Sequence, residues 1–108
     1  MRLRKIDNQG FNDNEIDLIA SVSDALAHPA RIKIFKYIMQ ENRQMRKVCN
    51  KDLVKEFGYA QATISQHASR LVISGLVEVK KEDKFSYYYA NMGMLMKYLD
   101  ATKKFSVL

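Results

Sequence analysis

A chain of 108 residues, 47% hydrophobic, with four glycines and one proline, is long enough to bury one core and too short for two, so a single domain over residues 1–108 is expected. One cysteine excludes an intramolecular disulfide and fits a reducing cytoplasm, and no apolar run approaches the roughly 20 residues that cross a bilayer, so no membrane partner is expected. The net charge of +6 is unevenly placed: residues 1–28 carry three basic and five acidic side chains, whereas residues 29–50 carry Arg31, Lys33, Lys36, Arg43, Arg46 and Lys47 against Glu41 alone.

In chain order, the opening MRLRKIDNQG lacks the apolar segment of a secretion signal and is expected to be a basic tail. Asn12 or Asp13 can cap a first helix, in which Ile16, Leu18, Ile19, Ala20, Val22, Ala25, Leu26 and Ala27 make more than one face apolar. His28 reads as a helix-entry residue, and Pro29 suits the first position of a second helix with Ile32, Ile34, Phe35, Ile38 and Met39 as its apolar side. Asn50 can cap a third, short helix whose Leu53, Val54 and Phe57 share a face, and Gly58 ends it in a turn filled by Tyr59 and Ala60. A fourth helix starts near Gln61, points Ile64, Ala68, Leu71 and Val72 inward, and ends at Gly75. Leu76, Val77 and Val79 then open an extended run, Lys80 to Lys84 form a polar tip, and Phe85 to Ala90 return as a second β-rich run. Asn91 can cap a last helix carrying Met94, Leu95, Tyr98, Leu99 and Thr102. The expected fold is mainly α with a small β-hairpin: about five helices plus a two-stranded wing, which is a winged helix-turn-helix.

The outward face of the fourth helix carries the functional signal. Gln61, Ala62, Thr63, Ser65, Gln66, Ser69 and Arg70 are small or polar and include no carboxylate. A helix that enters the major groove needs short side chains for close approach, with amides and hydroxyls that pair with base edges and phosphates. An ordinary solvated face would mix Glu and Lys. In the hairpin, Lys81 and Lys84 suit phosphate contact, although Glu82 and Asp83 dilute the charge. Double-stranded DNA is therefore the expected partner. The first and last helices have surplus apolar surface, so Ile16, Ile19, Val22, Leu95, Tyr98 and Leu99 are expected at a two-fold homodimer interface, and two reading helices about 34–36 Å apart suit a palindromic operator. The alternative is that these helices only complete the core of one chain.

The run Ala27-His28-Pro29-Ala30-Arg31-Ile32-Lys33-Ile34 resembles the "L-x-x-P-x-R-x-x-I-L" segment of the arsenical-repressor (ArsR-type) winged-helix regulators. Asp52-Leu53 and Ala60-Gln61-Ala62-Thr63-Ile64-Ser65-Gln66-His67 look like their "D-L…S-Q-S-T-V-S-x-H" recognition segment, and Leu71 to Val77 resembles "L-x-x-A-G-L-V". The similarity covers about residues 15 to 105 and implies a homodimeric bacterial repressor or activator whose DNA affinity answers to a metal, an oxidant or another small signal.

The resemblance stops at the sensing sites. Metal-binding members carry "C-x-C" before the Asp-Leu pair, because a soft ion needs two thiolates and a third donor. Here the place reads Cys49-Asn50-Lys51, and a lysine ammonium repels a cation. Members that bind zinc on the last helix use His and carboxylates there, yet Asn91 to Lys104 holds only Asp100. No metal site and no cofactor is expected. Cys49 stands as a redox candidate, since Lys47, Lys51 and a helix amino terminus favour a thiolate, beside the plainer reading of a small residue at a strand-to-helix junction. His67 is expected to pack or hydrogen-bond. Met92, Met94 and Met96 follow one another two apart, and residues two apart do not share a helix face, which argues against copper and for packing at a dimer seam. Two distant His residues and no glycine-rich phosphate loop leave little for an enzyme. The sequence thus points to a DNA-binding transcriptional regulator, with two alternatives: a winged helix serving only protein interaction, or a regulator that responds to oxidation at Cys49.

Overall fold

The computed structural model describes residues 10–108, so the expected basic tail lies, but for Gly10, outside the described residues. Five α-helices and one hairpin follow in the order α1 (Asp13–Ala25), α2 (Pro29–Arg43), α3 (Asn50–Phe57), α4 (Gln61–Ile73), β1 (Val77–Glu82), β2 (Phe85–Ala90) and α5 (Met92–Lys103), and a 3-10 turn over Lys104–Val107 closes the chain. This is the expected winged helix-turn-helix.

Local chemistry sets most boundaries. Asn12 caps α1 by accepting from the Glu15 amide at 2.8 Å while Glu15 accepts from the Asn12 amide at 3.1 Å, a reciprocal capping box. His28 caps α2 through Nδ1, which accepts from Ala30 N–H at 3.1 Å, and Pro29 occupies the first helical position, where its missing N–H costs nothing. Gly58 ends α3 at φ 72 and so turns the chain left-handed between the two helices of the reading unit. Asn91 caps α5 by accepting from Met94 N–H at 3.1 Å.

The helix-turn-helix closes over one core. Ile34 and Ile38 of α2, Leu53 of α3, Ile64 and Leu71 of α4, and Leu76 before the hairpin are all fully buried. In α4 the buried Ile64, Ala68 and Leu71 form the expected inward stripe, with Val72 half-buried at its edge. Ile32, expected on the apolar side of α2, is instead 51% exposed, because the helix docks through Ile34, Phe35 and Ile38 and leaves Ile32 at the margin of that arc. The hairpin is antiparallel, with Val77 opposite Ala90 and Glu82 opposite Phe85. Its tip is Asp83 and Lys84 alone, with Asp83 at φ 56, so the five-residue tip expected from Lys80 to Lys84 is corrected: Lys80 and Lys81 are paired within β1. Val48 adds an isolated bridge to Tyr88, whose N–H donates to the Val48 carbonyl at 2.8 Å, and ties the wing to the start of α3.

Helix α1 corrects one expected interface residue. Val22 is fully buried in the core of its own chain, because positions 18, 22, 25 and 26 recur at three- and four-residue spacing on the side that meets α4 and α5, so Val22 is unavailable to a second copy. Ile16 falls outside that arc and is 49% exposed, and Ile19 is half-buried. On α5, Leu95 and Tyr98 pack against the core, with Tyr98 Oη 2.9 Å from Ser23 Oγ, while Met92, Met96 and Leu99 face outward. Lys104 binds both Glu15, at 2.6 Å, and the Gly10 carbonyl, at 2.7 Å, and fastens the chain end to the start of α1. Among the described residues no helix is long and apolar enough to cross a membrane.

Candidate nucleic-acid interface

The site is built on α4. Because Ile64, Ala68 and Leu71 anchor one side, Gln61, Ala62, Thr63, Gln66, Ser69 and Arg70 are exposed together on the other, and Ser65 is half-buried at its edge. No acidic residue lies within α4. Ser65, Gln66, His67, Ser69 and Arg70 line one surface groove with Arg31 of α2. The structure thus brings the seven α4 residues singled out in the sequence onto one accessible surface, with two qualifications. Arg70 is ion-paired with Asp24 of α1, and Ser65 Oγ accepts from Asn50 Nδ2 at 3.0 Å.

Three contacts hold this helix in place. Arg31 Nε donates to the Ala25 carbonyl at 2.7 Å and Nη2 to the Asp24 carbonyl at 3.3 Å, so it caps the end of α1 while Nη1 lies 3.4 Å from His67 Nδ1. The His67 ring lies 4.6 Å from that of His28 and 6.4 Å from that of Tyr59. Burial, followed by the neighbouring His28 and Arg31, lowers the His67 pKa. Its folded value therefore lies below its ordinary one near 6.5, and the unfolded chain takes up the proton first as pH falls. Stability is expected to be unaffected by this group above neutrality and to decline as pH drops below about 6.5 toward the folded value. Urea unfolding at pH 7.5 and 5.5 checks this: the decline should shrink in His67→Gln, and an unchanged decline would remove His67 as its source.

Asn50 corrects the expected cap. The N-cap of α3 is Cys49, whose N–H donates to Asp52 Oδ2 at 2.9 Å and whose thiol donates to the same oxygen at 3.4 Å. Asn50 is the first helical residue and its amide is turned inward, donating to Ser65 and accepting from Tyr88 Oη at 2.6 Å. The thiolate argument for Cys49 also loses a support, since Lys47 pairs with Glu82 instead. A Cys three residues before an Asp was the available signal for this cap, in the place Ser or Thr would take. Nothing local signalled the Asn50 contacts, which join residues 15 and 38 positions apart.

In the wing, Lys81 and Lys84 are exposed and carry no ion pair among those formed by the described residues. Glu82 is tied up by Lys47 and by Tyr89 Oη at 2.9 Å, and both hydrogen bonds hold its carboxyl below the usual range. The acidic dilution expected at the tip is thus partly neutralised from within. Among the described residues no cluster of three or more His, Cys, Asp or Glu side chains stands where it could hold a metal ion.

Residues 28–79, from the start of α2 into β1, match the model of a family described as bacterial regulatory protein, arsR family. An uncharacterized HTH-type transcriptional regulator of Methanocaldococcus jannaschii is 33% identical over 70 residues, spanning 65% of this chain and 74% of that protein. The chain belongs to the ArsR family of regulatory proteins. Among solved structures similar to it are an ArsR-like transcriptional regulator from Rhodococcus sp. RHA1, with a TM-score of 0.76 and 21% identity over 87% of this chain and 84% of that one. Another is the homodimeric winged helix-turn-helix DNA-binding domain of a possible ArsR-family regulator from Mycobacterium bovis, with a TM-score of 0.67 and 23% identity over 86% and 85% of the two chains. At such identity these two show the shared fold. As an ArsR-family member the chain is a helix-turn-helix transcriptional regulator, and the fold and family are those of regulators rather than of enzymes. The matched segment contains α3, the turn and α4 and excludes α1 and α5.

Proposed function

We propose that this ArsR-family regulator is a sequence-specific repressor that acts as a homodimer on a palindromic operator in double-stranded DNA. The observation that carries the reading is the exposed, carboxylate-free polar face of α4, displayed on a helix whose other side is anchored in the core. In this reading Gln61, Ala62, Thr63, Ser65, Gln66 and Ser69 approach base edges and phosphates in the major groove, while Arg70, Lys81 and Lys84 serve the backbone. The amides of Gln61 and Gln66 are the natural readers, since a side-chain amide pairs bidentately with adenine. Ile16, Ile19, Leu95, Tyr98 and Leu99 supply the dimer face, supported by the exposed Ile16 and Leu99 and by the homodimeric state of the Mycobacterium bovis relative. The whole chain acts as one domain in the cytoplasm. The Cys49-Asn50-Lys51 sequence and the absence of His from α5 support a regulator without the usual metal sites. Cys49 serves as a helix cap.

The test is selection of bound duplexes from a genomic pool, followed by a salt titration. Specific binding should yield a palindromic motif and weaken steeply with salt, as phosphate contacts require. A pool without enrichment, or binding indifferent to salt, would point instead to a protein-interaction module. Gln66→Ala should cost about 1–3 kcal/mol on the selected duplex and much less on random DNA. Equal losses on both would remove Gln66 as a base reader.

A further inference from the structure

Asn50 sits where its amide touches two of the three parts of the reading unit. Its Oδ1 accepts from Tyr88 Oη of β2 at 2.6 Å, and its Nδ2 donates to Ser65 Oγ of α4 at 3.0 Å. Tyr88 is nearly buried, and its backbone N–H is already committed to Val48, so its hydroxyl is held in place. Both neighbours of the amide are hydroxyls, so the direction in which the amide faces decides the direction of every hydrogen bond in the chain of three. A phenol is a stronger donor than an aliphatic hydroxyl, which places the carbonyl toward Tyr88 and the N–H toward Ser65.

That polarity has a consequence at the surface. A serine hydroxyl has one proton and two lone pairs. With one lone pair filled by Asn50, the Ser65 proton cannot be used toward Asn50 and is left for an outside acceptor. Ser65 lies in the surface groove with Gln66, Ser69 and Arg70, so that acceptor would be an oxygen or ring nitrogen of the DNA. The three-residue chain also strengthens the outward donor, because each bond polarises the next. If the amide were reversed, Ser65 would donate inward and present only lone pairs to a phosphate, which is repulsive.

We infer that Asn50 is a positioning residue for DNA recognition: held by Tyr88, it fixes Ser65 as a hydrogen-bond donor toward DNA and couples the wing to the reading helix. The inference rests on the proposed reading of the α4 face as the DNA-contacting surface. It gives the residue between Cys49 and Lys51 a structural link to both α4 and the wing.

The experiment is a set of double-variant cycles on the full chain, read as affinity for the duplex recovered by selection, with unfolding midpoints measured in parallel. Ser65→Ala should weaken binding by about tenfold, the scale of one lost hydrogen bond. Asn50→Ala should weaken it severalfold, and in the Ser65→Ala background should have no further effect. Tyr88→Phe keeps the ring and its packing, and should likewise weaken binding only when Ser65 is present. This dependence is one that a purely structural role would not produce, since a loosened fold would weaken binding in either background. Additive losses, or wild-type affinity in both Asn50→Ala and Tyr88→Phe, would overturn the relay and leave the DNA-reading proposal standing. Wild-type affinity in Ser65→Ala would remove the relay and the Ser65 contact together, while the Gln66 and salt results would still decide whether the α4 face reads DNA.

Discussion

Leu71→Ala is expected to lower the unfolding free energy by about 2–5 kcal/mol, the largest stability loss foreseen for any single change in α4. Leu71 is fully buried in the same core cluster as the fully buried Ile64 and Leu76, so truncation removes apolar contact and leaves a cavity. Ile73, two residues later on the same helix, is 76% exposed, and Ile73→Ala should change stability by less than about 0.5 kcal/mol. Urea unfolding of the two variants checks both values. Equal losses would mean that α4 is not seated as described. Since the reading face depends on that seat, Leu71→Ala should also bind DNA only in proportion to its folded fraction.

The second large effect belongs to the proposed dimer. Leu99 is 46% exposed on α5 and shares its outward side with Met96 and Met92, at spacings of three and four residues. Leu99→Glu places a charge on this stripe without touching the core. It should convert the chain to a monomer and reduce affinity for a palindromic duplex by about 10²–10⁴, because the second half-site then no longer benefits from the first. Affinity for an isolated half-site should be unchanged. Sedimentation analysis with binding to whole and half sites measures both parts, and a variant that remains dimeric would place the interface elsewhere. Val22→Ala, by contrast, should cost folding stability and leave the association constant alone, since Val22 is enclosed within one chain.

The legible part of the fold was the part governed by short-range chemistry. Asn12, His28 with Pro29, Gly58 and Asn91 all act within four residues of their partners, and each sits at the boundary its residue type favours. The inward stripe of α4 follows from 3.6-residue periodicity, and so does the opposite polar face. The boundary between tip and strand is not legible in composition, because Lys80 and Lys81 are polar yet extended by pairing, opposite Tyr87 and Ser86. Composition reports solvent exposure, and an exposed strand can be as polar as a turn. In α1 the spacing of Leu18, Val22, Ala25 and Leu26 held the information that Val22 faces inward. It was obscured by Ile16, Ile19 and Ala20, which made the helix apolar on more than one side.

Sequence alone determined the order of elements, the two helices of the reading unit, their turn and the chemistry of the face they display, because each depends on residues within one or two turns of one another. Tertiary structure decided which side chains are spent on the protein itself. It committed Val22 to the core, Lys47 to Glu82, Arg70 to Asp24, and Asn50 to Ser65 and Tyr88. These pairings span 15 to 46 positions and depend on how α1, α3, α4 and the wing cross, a geometry that local periodicity does not encode. A capping residue in the sequence thereby became, in the fold, the link between wing and reading helix.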